Sequence, residues 1–325
     1  MCSLHYFLLI EYNKMSRISR YKESIEKFFK TKSFINDIDI SYKNQIIELS
    51  TQTDYFVSII LLTVMNNISK KHNLSLHAYF MASGVEALYM YNNIVDNKIF
   101  YGNTIGTPLV DNLKMIIYNN IYRSLSQNID SISSHIKTEK LIKINTYSTK
   151  YITTNLEILM SHIQPPLNVW VNNDVIKFKS FDQTKLNKIM SLKCYSHDEL
   201  LSYIDKNLGS ICKIALVSGW LLGNGDEKNV IGLEKLSICM ARMFKIAYDY
   251  YNLINDLNKC VDFTYNSVIS LGFQTTFSIF QDNRAKFIEG CMVLDIYTNT
   301  VKEIIDVLES RMDLSIDNTL TSHSE

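Results

Sequence analysis

Proline is nearly absent. The chain carries only Pro108, Pro165 and Pro166, so beyond residue 166 no proline breaks a helix from within. Glycine is scarce too, ten in 325 residues, which excludes collagen-like and Gly-rich architectures. Neither charge dominates: 33 basic residues balance 33 acidic ones, and no long block of one sign forms. That balance excludes a nucleic-acid surface and a polybasic membrane patch. The six cysteines (Cys2, Cys194, Cys212, Cys239, Cys260, Cys291) include no C-x-x-C pair and no histidine at zinc-finger spacing. Reduced thiols in a cytoplasmic protein are therefore expected. The seven histidines form no H-E-x-x-H pair, and no G-x-S-x-G or P-loop run occurs. The opening MCSLHYFLLI is apolar but covers only about half a membrane span, and it lacks a small-residue cleavage site. A peripheral membrane contact is the membrane role left open.

What is present is helical period. Apolar residues recur at three and four along 19–30, 53–72, 75–98, 108–125, 149–163, 198–222, 229–257 and 284–311. Thr107 before Pro108 marks a helix start, and Ser196 with Glu199 forms a capping box. One stretch departs from this: VWVNNDVIKFKSF alternates around Asn172, Asn173 and Asp174 and predicts a β-hairpin near 168–180. The expectation is an all-α domain over 19–314, with an N-terminal extension at 1–18, the hairpin inserted, and a polar, frayed tail from Ser315.

Two polar stripes interrupt the apolar helices. In YMYNNIVDNKIFYG, Asn92 and Asp96 share a helix face, as do Asn93 and Asn97. In FKIAYDYYNLINDLNK, Asp249, Asn252 and Asp256 fall at i, i+3 and i+7, again on one face. On spacing alone, such stripes fit solvated faces or satisfied core amides as well as two halves of a metal site.

The order of several blocks resembles the trans-isoprenyl diphosphate synthases, or polyprenyl synthetases, and extends to the branch carried by some large DNA viruses. CKIALVSGWLLGNG is similar to the family's lysine helix with its glycine-punctuated continuation, and MFKIAYDYYN to its second aspartate-rich motif. VEALYMYNNIVDN falls where the first aspartate-rich motif belongs, STQTDYFVSIILL on the G-G-K-x-x-R-P-x-L block, and SLGFQTTF on the G-K-x-x-T segment. The resemblance implies an isoprenoid-synthase-like helical bundle around a central cavity. It also implies the family's chemistry, in which magnesium held by two facing D-D-x-x-D clusters neutralises a departing diphosphate.

Matched residue by residue, this chain keeps little of that apparatus. Asp96 falls on the first aspartate of the first motif and Asn97 replaces the second; Asp249 keeps one aspartate of the second motif, between Tyr248 and Asn252 in place of others. Asp54 stands where a diphosphate-binding lysine belongs, Val57 where an arginine belongs and Phe273 where another lysine belongs. Lys213 matches a family lysine, and Glu86 the glutamate ahead of the first motif. The resemblance thus implies remnant catalytic positions at Asp96 and Asp249, remnant metal positions at Asp96, Asp249 and Asp256, and substrate contacts at Lys213, Asn93, Asn97, Asn252 and Gln274.

Amides bring no negative charge to a metal, and at short range such a deficit costs several kcal/mol. The expected function is accordingly a degenerate prenyltransferase homologue without catalysis. It would act as a homodimer, as the partner of an active prenyl synthase, or as a binder of an isoprenoid or lipid, with no nucleic-acid role. No cofactor is expected; magnesium enters only if activity persists. The alternatives are an active synthase with a reduced magnesium site, a terpene-synthase-like enzyme, and an unrelated helical interaction protein. The terpene cyclase N-D-x-x-[ST]-x-x-x-E pattern begins correctly at Asn255 and Asp256 but meets Lys259 and Phe263 where Ser/Thr and Glu belong.

Overall fold

The structure is a computed structural model and describes residues 16–32, 34–51, 53–69, 75–96, 106–161, 196–258 and 266–321. In chain order the helices are α1 (Arg17–Thr31), α2 (Ile40–Thr51), α3 (Phe56–Ser69), α4 (Ser75–Asp96), α5 (Thr107–Ile132), α6 (Thr138–Ser161) and α7 (His197–Lys206). Then come α8 (Leu208–Lys213), a π-helical turn (Ile214–Ser218), α9 (Gly219–Leu222), α10 (Val230–Asn258), α11 (Ser267–Leu271), α12 (Phe273–Val293) and α13 (Asn299–Thr321). No strand occurs among the described residues. The segment expected to form a hairpin, 168–180, lies outside them, as does most of the 1–18 extension.

Two rods form the centre. Every residue of α3 from Val57 to Met65 is buried, and so is every residue from Ile214 to Leu222. A helix that is apolar on all sides is stable only when surrounded, and the other helices enclose these two. The rods touch backbone to backbone: a Cβ on Gly219 would lie 2.7 Å from Leu61 O, and one on Gly223 would lie 2.8 Å from Met65 O. Around them α4 and α5 pack as an antiparallel pair, while α10 packs against α8, α12 and α13.

Local signals act where they were read. Ser196 and Glu199 make both bonds of the capping box that opens α7. α5 starts at Thr107 with Pro108 in its first turn, although Gly106, at φ 90°, holds the cap position and no side chain caps it. The apolar stretch 284–311 divides into α12 and α13 at a turn in which Asp295 adopts φ 54° and the Ile296 amide returns to Cys291 O. Ile296 is fully buried, so the apolar period runs through the turn unbroken. The segment from Ser315, expected to fray, continues α13 to Thr321, and the Ser315 hydroxyl donates to Tyr250 O at 2.7 Å. No described helix is long and apolar enough to cross a membrane.

Candidate functional site

The second polar stripe is on α10, and its acids are engaged with the protein itself. Asp249 is 1% exposed. One of its oxygens pairs with Lys245 one turn earlier, and the other accepts the Ser267 amide at 2.8 Å and the Ser267 hydroxyl at 2.7 Å. It therefore serves as an acceptor for the first turn of α11, where otherwise unpaired amides and the helix dipole favour an anion. Asn266 completes the junction. Its side-chain oxygen caps α11 at the amides of Val268 and Ile269, while its amide donates to Asp249 O and to the Asp256 carboxylate at 2.9 Å. Asn252 sits half-buried nearby and donates to Tyr248 O at 3.1 Å.

On the first stripe, Asn92 is buried and donates to the side chain of Asn207. Asn207 sits at the break between α7 and α8, with φ −77° and ψ −86°, where it also accepts from Asn155 at 2.9 Å and donates to the Tyr203 hydroxyl at 2.7 Å. Asn92 thus ties α4, and Asn155 ties α6, to a helix break. Asn93 is half-buried beside it. Asp96 closes α4; its side chain and the whole of Asn97 lie outside the described part of the structure. Lys213 ends α8, half-buried amid fully buried neighbours, and forms no hydrogen bond or ion pair with a described residue. Gln274 is exposed on α12.

A third group of polar residues gathers at the head of α3. Thr53, Asp54 and Tyr55 connect α2 to α3, and Tyr55 holds φ 58°, a left-handed conformation that costs a bulky residue free energy unless its surroundings impose it. The Tyr55 hydroxyl is buried and has no well-formed hydrogen bond among the described residues. Asp54 grips Arg311 of α13 through two bonds, at 2.6 and 2.9 Å. The Arg311 guanidinium also lies 5.3 Å from the centre of the Phe56 ring and 5.6 Å from that of Tyr251, within cation–π range. Glu86, 2% exposed on α4, accepts from the Ser58 hydroxyl at 2.6 Å, and burial pushes its pKa up to about 7. Between these residues lies a cavity of about 40 Å³, bounded also by Tyr89, Phe244 and Tyr248. Ligand sites generally need roughly 300–1,000 Å³.

Magnesium wants several oxygen ligands in octahedral array. Asp249 has both oxygens engaged, Asp256 is bonded to Asn266, and no group of three or more His, Cys, Asp or Glu side chains among the described residues could hold a metal. These residues do not fit a magnesium cluster.

The sequence matches no protein-family model and no curated protein. Solved structures do resemble the fold. Geranyltranstransferase from Thermotoga maritima superposes with a TM-score of 0.61 at 12% identity, covering 93% of this chain and 100% of that one. The chain has the isoprenoid-synthase fold. Geranylgeranyl pyrophosphate synthetase from Geoglobus acetivorans gives 0.60 at 10% identity over 91% and 99%. Geranyltransferase from Helicobacter pylori, complexed with magnesium and isoprenyl diphosphate, gives 0.58 at 14% identity over 90% and 95%. This helical architecture is the one expected from the sequence.

Arg311 escaped the sequence reading. Its signal was its place on α13: three residues after Leu308 and seven after Ile304, both buried, it follows the apolar face into the core. Ser267 and Asn207 carried no comparable signal.

Proposed function

We propose that this chain is a non-catalytic protein built on the prenyltransferase fold and that it works as a subunit paired with another copy or with an active prenyl synthase. The observation that carries the first half is the engagement of Asp249, whose oxygens pair with Lys245 and Ser267 and so hold α11 on α10. A carboxylate committed in this way cannot release its partners to a metal without unseating a helix.

Ligand storage at the head of α3 is disfavoured by the small size of the cavity there. Pairing is supported by apolar side chains on the outer faces of α5 and α6. Met115 is 61% exposed, and Ile142 and Met160, eighteen residues apart and hence on one line of α6, are 60% and 68% exposed. Tyr91, Tyr118 and Tyr122 form an aromatic row alongside Met115 with centroid spacings of 6.0 and 5.7 Å. Aromatic residues and methionine are the types enriched where subunits meet.

Calorimetric titration of magnesium with geranyl or farnesyl diphosphate tests the first half, and the expected result is no saturable heat. Magnesium-dependent diphosphate binding, or product from radiolabelled isopentenyl diphosphate, overturns it. Light scattering after size exclusion, with and without an active prenyl synthase, tests the second. A strictly monomeric chain that leaves the synthase unassociated removes the pairing role.

A further inference from the structure

The cavity at the head of α3 is lined by the Asp54 carboxylate and by Glu86, which burial biases toward its neutral form, and among the described residues Arg311 is its one base. The other polar groups there are Thr53 and tyrosine hydroxyls, and the rest of the wall is aromatic or aliphatic. A planar guanidinium is already seated against it, bidentate on Asp54 and lying near the rings of Phe56 and Tyr251. Fork-on-carboxylate geometry with aromatic rings nearby is the arrangement that distinguishes guanidinium from ammonium and repels anions.

We propose that this pocket is a receptor for an alkylguanidinium group, the chemistry of an arginine side chain, and that Arg311 of α13 is its occupant in cis. A residue of the last helix thereby latches the loop ahead of the central helix, and an external guanidinium binds only when Arg311 is removed or drawn away. The inference extends the non-catalytic reading to a ligand class: with Arg311 away, the Asp54 carboxylate disfavours a diphosphate and welcomes a cation.

The test is ligand rescue of a truncated side chain. In Arg311→Ala, N-ethylguanidinium and arginine methyl ester at millimolar concentration should recover at least half of the lost melting temperature. Wild type should not respond, since its pocket is filled. Ethylammonium should recover less, because it cannot bridge both oxygens of Asp54. Arg311→Ala combined with Asp54→Asn should give no response. If Arg311→Ala does not fold, Arg311→Gln, which keeps much of the stem, takes the same titration. Equal rescue with and without Asp54, or no rescue in either Arg311 variant, overturns the receptor while leaving the non-catalytic reading intact. Magnesium diphosphate raising the melting temperature instead overturns both.

Discussion

The Ser58 hydroxyl lies 2.6 Å from Glu86 Oε1 and 3.0 Å from Ala82 O, yet it has one proton to give. Given to Glu86, that proton favours the ionised acid, and a hydrogen bond from Thr53 does the same. Burial acts the other way and is the larger effect, so the acid's pKa is raised.

A stability profile follows from this. The folded Glu86 titrates near 7, against 4.5 for the free side chain. Between those values the folded state holds a proton that the unfolded state has lost, so stability is fully present below about pH 4.5, falls as pH rises, and levels off above about pH 7. The loss is at most about 3 kcal/mol. Urea unfolding across pH 5 to 8 should show this slope in wild type, and Glu86→Gln should flatten it. A Glu86→Gln profile as steep as wild type would place the titration elsewhere.

Asp249 should behave as a structural acid. Asp249→Ala leaves Lys245 without its partner and removes two acceptor contacts from Ser267, a loss of about 3–5 kcal/mol. Ser267→Ala alone should cost about 1–2 kcal/mol, and the double mutant should fall short of the sum by about 1 kcal/mol or more. None of these values should depend on added magnesium. A magnesium-dependent difference between Asp249→Ala and wild type would return the residue to metal binding.

The buried amides make a similar point about the first stripe. Asn207→Ala deprives the Asn92 amide of its acceptor and the Tyr203 hydroxyl of its donor in a closed interior. The expected loss is about 3 kcal/mol, with an unchanged urea m-value. A change under about 1 kcal/mol would mean that water replaces the side chain.

Gly219→Ala places a methyl group 2.7 Å from Leu61 O, and a backbone carbonyl in a central helix has nowhere to go. The variant should lose about 1–3 kcal/mol in thermal unfolding. Gly232→Ala, where nothing lies within 4 Å of the added carbon, should be neutral or slightly stabilising.

The fold was legible because helical period and caps are local. Ser196 and Glu199 interact across three residues, and the apolar period of 229–257 reproduces α10 to within one residue at each end. The turn at 294–298 was not legible, since buried Ile296 continues the period and no proline or glycine marks the stop. The site was legible only as residue types. That Asp249 is bonded to Ser267, eighteen residues on, or Asp54 to Arg311 in the last helix, depends on packing that no short-range pattern encodes. Glu86 is an intermediate case: one acid inside MASGVEALYM sits in a run too apolar to be a solvated face.

The latch between Asp54 and Arg311 spans 257 residues of sequence. At synthesis rates of about 5–20 residues per second, the two are translated roughly ten to fifty seconds apart. Through that interval the aromatic rim around Tyr55 and Phe56 has no cover from α13, so the growing chain offers a half-built, apolar and acidic cleft to whatever the ribosome's surroundings hold. Helix α13 closes this cleft in time as well as in space, and a chain released short of it would leave the head of its central rod open.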